Sequence, residues 1–231
     1  MSKFLTALIA VLFLMPMPAM AQEIVVTGTR MRSSGAEDTA GIGIRRRADF
    51  AVQRVTVYGD ARDKEARRKE ILDTVRAAIQ LGDKRGIQLS YGDAVIQPLT
   101  LANYAEKLTF TKDEDRDDAE QVTFVVKTQL SDGNALAAID RLTAFIKAVP
   151  GVGRAVMAAD GEPGVSIVDP SQYRPQILAA IAADANAAAK LFGSDYAVEA
   201  DNLATPVRWV LVSPTEVMLY IGHDLKIVPK R

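Results

Sequence analysis

Enzyme chemistry tends to concentrate on histidine, cysteine and clustered carboxylates, and this chain uses all three sparingly. His223 is the sole histidine, and cysteine is absent. Catalytic triads and zinc sites draw on histidine, zinc often on several. A lone histidine just beyond an apolar alternation therefore reads as a surface or edge residue. Without cysteine there are no disulfides, thiolate ligands or thiol nucleophiles. Asp113, Asp115 and Asp117 alternate like the first ligands of a calcium loop. Such a loop next needs a glycine and, at its end, a bidentate glutamate. Asp118 and Phe124 stand in those places, so the segment reads as a solvated hairpin tip. Gly151-Val152-Gly153 lacks the third glycine of a dinucleotide fingerprint, Val156 replacing it. Neither a phosphate-binding Walker loop nor a nucleophile elbow is present. The expectation is a chain with no catalytic residue, no bound metal and no cofactor.

Charge narrows the partners. Lys and Arg number 28 against 29 Asp and Glu, a balance with no electrostatic footprint for nucleic acid. Arg45-Arg46-Arg47 offers modest attraction for an anionic lipid or partner, but reads first as solvated. Trp209 and Tyr220 lie among apolar alternations and read as core.

The N-terminus carries the clearest signal. Lys3 precedes the almost wholly apolar run Phe4 to Met15, Pro16 and Pro18 break it, and Ala19-Met20-Ala21 is a small-x-small cleavage pattern. Residues 1–21 read as a secretory signal cut after Ala21, leaving Gln22 first. The run is about 12 residues, whereas a spanning helix needs about 20. No later segment is long and apolar enough to span. With no cysteine to carry a lipid, the expected location is the periplasm of a Gram-negative bacterium, with outer-membrane association open.

Residues 22–48 offer no apolar face to dock and read as a flexible tail. Within it, Glu23-Ile24-Val25-Val26-Thr27-Gly28-Thr29-Arg30 resembles the TonB box of TonB-dependent outer-membrane receptors. A receptor of that kind needs a plug and about 22 strands, more than this chain supplies. The resemblance implies that Glu23, Ile24, Val25, Val26 and Thr27 bind a protein partner, TonB itself being the candidate, by adding a strand to its sheet edge. The alternative is a Val/Ile run that pairs with the chain's own sheet.

From residue 49 to 231 the pattern is one α+β domain. Phe50 to Tyr58 reads as a strand, 62–81 as a helix with Ile71, Val75, Ala78 and Ile79 inward, and Ile87, Leu89, Tyr91 as a half-buried strand. On the first helix, Asp63/Arg67 and Glu65/Lys69 form opposite-charge pairs four apart. A hairpin follows, with Leu108 and Phe110 on one arm and Val122, Phe124, Val126 on the other. A second helix, 133–148, presents Leu136, Ile139, Thr143 and Ile146. A second hairpin over 153–168 turns at Asp160 to Gly164. A third helix, 171–192, turns Ile177, Ile181, Ala185, Ala188 and Phe192 inward, and strands end the chain. Strands bunched between single helices predict antiparallel sheets with about three helices on one face.

That order behind a leader resembles the SIMPL-domain family of bacterial periplasmic proteins over residues 52–221. Asp169-Pro170-Ser171-Gln172-Tyr173-Arg174 leads into an alanine-rich helix, then Gly193 and Tyr196-Ala197-Val198 follow. Val55-Thr56-Val57-Tyr58-Gly59-Asp60-Ala61 resembles the family's opening strand and turn. The long acidic hairpin turn and the short stretch after the last helix depart from the pattern. The resemblance implies a non-enzymatic envelope protein, a binding or assembly module with a protein partner or a second copy of itself.

Overall fold

The computed structural model describes residues 23–26, 42–93, 95–113, 116, 118–130 and 134–230. The expected leader, Thr27, Asp115 and Asp117 lie outside these residues. The fold is α+β, and every strand pairing is antiparallel.

The segment expected to be a tail instead supplies two strands, β1 (Glu23–Val26) and β2 (Gly43–Arg47). Their partners lie far along the sequence, so local polarity hid them. The centre of the main sheet is β3 (Phe50–Gly59) against β7 (Glu120–Gln129), in register from Phe50↔Gln129 to Gly59↔Glu120. Between them run α1 (Lys64–Arg85), β4 (Gln88–Tyr91), β5 (Val95–Pro98), the single turn α2 (Tyr104–Lys107) and β6 (Thr111–Lys112). The expected arm at Leu108 and Phe110 is not strand; only β6 pairs with β7 there, at Gln121 and Glu120. With α3 (Ala135–Ala148) and α4 (Arg174–Phe192), the described residues hold four helices rather than about three, α2 being the addition.

Helix ends follow their local chemistry. Asp63 caps α1 by accepting from the Ala66 amide at 2.7 Å. Gly86 ends it in the left-handed region (φ 67°), which spares a side chain the strain, and its N–H reaches the Gly82 carbonyl. The charge pairs on α1 differ from those expected: Arg67 turns inward to Glu120, and Lys69 pairs with Asp73. On α3 the buried stripe is Ala138, Leu142, Phe145 and Ile146, while Leu136 stands 70% exposed. Both stripes have helical spacing, and the one with more apolar bulk faces the sheet.

Residues 153–168 do not fold back as a hairpin. β8 (Val156–Ala159) and β9 (Gly164–Val168) lie end to end along β3, pairing with residues 55–58 and 50–52. The break is filled by the Gln53 amide, whose Nε2 donates to the Asp160 and Gly161 carbonyls at 3.1 and 3.0 Å. The chain then passes through a 3₁₀ turn, Pro170–Tyr173, into α4. β10 (Tyr196–Asp201) pairs with β13 (Asp224–Pro229) as a two-stranded ribbon. β11 (Arg208–Ser213), β12 (Glu216–Tyr220) and β2 form a third sheet. The main core packs α1 and α3 on one face of the large sheet and α4 on β2 and β10, through Ile71, Phe124, Phe145, Ile167, Ile177 and Ile181.

Candidate functional site

The opposite face of the large sheet holds a second, separate core. Following the hydrogen-bonded pairs, β3 joins β7, β7 joins β4, β4 joins β5, β5 joins β1, β1 joins β9, and β9 returns to β3. The six strands close a ring, and β1, the partner-binding candidate, is the segment that closes it. Its register is Glu23↔Ile96 and Ile24↔Val95 on one side, and Glu23↔Val168 to Val26↔Val165 on the other.

Residues opposite one another on antiparallel strands share a face. Val52 faces Lys127, Phe50 faces Ser166 and Ser90 faces Val125. These residues, with Ile96 and Glu23, line the inside of the ring. Val52, Ile96, Val125 and Phe50 supply its apolar part. Glu23 and Lys127 are only 7% and 6% exposed, yet both are ionisable. The Lys127 ammonium donates to Glu23 Oε2, and Ser166 Oγ donates to Oε1 at 2.5 Å. The same ammonium lies 4.4 Å from the centre of the Phe50 ring, so the cation is also met by π density. Ser90 Oγ is buried on this face without a hydrogen-bond partner among the described residues.

The candidate residues are thus placed as follows. Glu23 to Val26 form a strand with both edges paired, and only Glu23 has a described side chain. Lys127, Ser166 and Phe50 were not foreseen as its companions. Lys127 did carry a signal: it directly follows the apolar stretch Val122 to Val126, and a charge in a buried strand is rare unless paired.

Two further charge clusters lie near the end of β3. Glu120 accepts from Arg68 Nη2 at 2.6 Å and Arg67 Nε at 3.1 Å, and Arg67 also reaches the Ala61 carbonyl at 2.8 Å. The Arg68 guanidinium, joined by Arg67, holds the Glu120 carboxyl below its ordinary value against the opposing pull of burial. Asp60 accepts from Arg116 and Arg154 at 2.9 and 2.6 Å, and these cations, Arg116 first, lower its carboxyl too. Carboxylates held in this way are weak bases, so their geometry suits cross-linking of the turn after β3 rather than proton transfer.

The remaining candidates have structural partners. His223 Nδ1 lies 2.8 Å from the Ile221 carbonyl. Arg46 lies on β2, stacks 4.7 Å over Tyr173 and donates to Gln176 at 2.7 Å. Tyr220 is buried and Trp209 half-buried against the main core. Gly153 (φ 58°) admits the Glu70 carboxylate, which accepts from the Arg154 amide at 2.9 Å. Among the described residues, no three metal-ligating side chains come together. No protein-family profile matches the chain, and no curated protein or solved structure matches it either.

Proposed function

We propose that the chain is an exported, non-enzymatic cell-envelope protein, a binding or assembly module of SIMPL type. The observation that carries the binding half of this reading is the apolar surface where α4 meets the β10–β13 ribbon. Leu191 is 86% exposed and Phe192, expected to point inward, 53%, and on the ribbon Tyr196 and Ile227 are each about 40% exposed. Single exposed apolar residues are ordinary, but a group of large ones marks protein–protein contact. The export half rests on residues 1–21 as read from the sequence. The test is photo-crosslinking from position 192 in the periplasm, with Leu191→Asp as control. A specific adduct that disappears in the variant, at unchanged melting temperature, supports the reading. Adducts indifferent to the variant would overturn it.

A second reading, docking of residues 23–27 on TonB, rests on the likeness of this stretch to a TonB box, whereas Glu23–Val26 is seated as a strand of the chain's own sheet, the alternative to docking. Docking then requires β1 to leave β5 and β9, and Glu23 to leave Lys127. Titration with the periplasmic domain of TonB, followed at the amides of 23–26, decides it. Loss of their pairing to the chain's own sheet on addition of TonB is the required result, and unchanged amides reject it.

A further inference from the structure

We propose that β1 is an exchangeable strand, so that two copies of this chain close each other's ring by trading residues 23–26. Without β1, β5 and β9 would face each other across a gap of about 10 Å, two strand spacings, with open backbone donors and acceptors. Lys127 would lose its counter-ion inside the ring. The gap is therefore a strand-acceptor slot with a defined chemistry: an acid at the first position, met by Lys127 and Ser166, then an extended backbone antiparallel to β9.

A second copy is the occupant the structure favours. The sequence seated in the slot is Glu23–Val26, and every other copy carries the same sequence. Exchange reproduces each contact unchanged, which makes it a low-cost route to a dimer. Reach is not limiting. Residues 27–42 separate β1 from β2, and that length of chain extends to roughly 50 Å. The same tether gives β1 an effective concentration in its own slot on the order of millimolar. The unmodified protein is therefore mainly closed on itself in dilute solution and exchanges increasingly as it is crowded.

The ion pair allows that balance to be tipped. Glu23→Lys and Lys127→Glu, in separate full-length chains, each place like charges together when the ring closes on itself. When the two chains are mixed, reciprocal exchange puts opposite charges together in both slots. Restoring a buried pair favours exchange by about a hundredfold or more. Light scattering at about 0.1 mM, well below the tether's effective concentration, should give a one-to-one dimer only in the mixture, melting above either variant alone. A mixture that scatters and melts as the sum of its parts overturns the proposal.

If either variant fails to fold, a covalent trap decides on the otherwise unmodified background. Ile24 and Ile167 are direct partners across β1 and β9, and the Ile167 side chain is fully buried. Such partners lie at a distance a disulfide can bridge. A full chain with Ile24→Cys is mixed with one carrying Ile167→Cys under mild oxidation, in a protein with no other cysteine. The intermolecular 24–167 disulfide, identified by mass, is expected to accumulate as concentration approaches millimolar. Its absence, with both thiols intact, overturns the proposal.

Discussion

The Glu23–Lys127 pair is unequal in a way that follows from where each residue sits. Lys127 belongs to β7, where it is paired on both edges, with Val52 and with Gln88, and cannot leave the sheet without unfolding it. Glu23 belongs to a four-residue strand at the beginning of the described chain. Removing the acid strands a buried ammonium, and breaking such a pair costs about 3–5 kcal/mol. Removing the lysine leaves a carboxylate that can escape to water by undocking β1, so the loss is capped by what β1 contributes. Urea denaturation should therefore find Glu23→Ala more destabilising than Lys127→Ala. Equal losses would mean that β1 does not detach. Glu120 gives a second expectation at this scale. Its folded-state value lies below the unfolded one, about 4.3, so the unfolded chain binds more protons near that pH. The contribution is fully present above the unfolded value and is lost as pH falls through the folded one. Stability measured from neutral pH down through 4 should fall less steeply in Glu120→Gln than in the parent. Slopes are compared rather than levels, because the variant also leaves Arg67 buried with a weaker partner.

At the scale of elements, α4 separates a buried first half from an exposed end. Ile177 and Ile181 are buried, Ala185 and Ala188 are half-buried, and Leu191 and Phe192 are exposed. Ile181→Asp places a charge in the main core and should cost about 3 kcal/mol or more, whereas Phe192→Asp should leave the thermal midpoint within a few degrees of the parent. Two similar losses would mean that the helix end is packed. This helix also shows what its sequence could and could not convey. Period and composition located it, because its first inward residues repeat at 3.6. They could not show that the last turn stands in the open, where Leu191 and Phe192 are exposed. The long strands β3 and β7 and the helices α1 and α3 were legible for the same reason as α4: each carries its apolar face within itself. β1 and β2 were not. β1 meets β5 and β9, about 70 and 140 residues later, and β2 meets β12, about 170 later. The split of β8 from β9 was hidden likewise, since it depends on Gln53 filling a gap that the local turn residues do not reveal. Of the candidate site, Glu23 to Val26 could be marked as strand-prone, but Lys127 and Ser166 were chosen by pairing across the whole chain.

At the scale of the whole molecule, the ring ties the beginning of the described chain to its centre. Ile24 is opposite Val95 on one side and Ile167 on the other, so its backbone bonds inward whichever way it points. Ile24→Pro removes that donor and should cost about 1–3 kcal/mol, the penalty of an unmade buried hydrogen bond. No change in the urea midpoint would mean that the ring contributes nothing to folding stability. Export meets the same geometry. The expected scissile bond, Ala21–Gln22, lies one residue before Glu23, which is buried at the ring. A signal peptidase needs an extended, accessible substrate, so on the proposed export route cleavage has to precede docking of β1, and Glu23 enters the slot afterwards. In a Gram-negative host the protein should be recovered from the periplasm beginning at Gln22. Ala21→Phe, which spoils the small-x-small pattern, should leave the leader attached, keep the chain at the membrane and slow protection of the 23–26 amides in hydrogen exchange. A protein that begins at Met1 in the cytosol with those amides already protected would refute both the leader and the order of events.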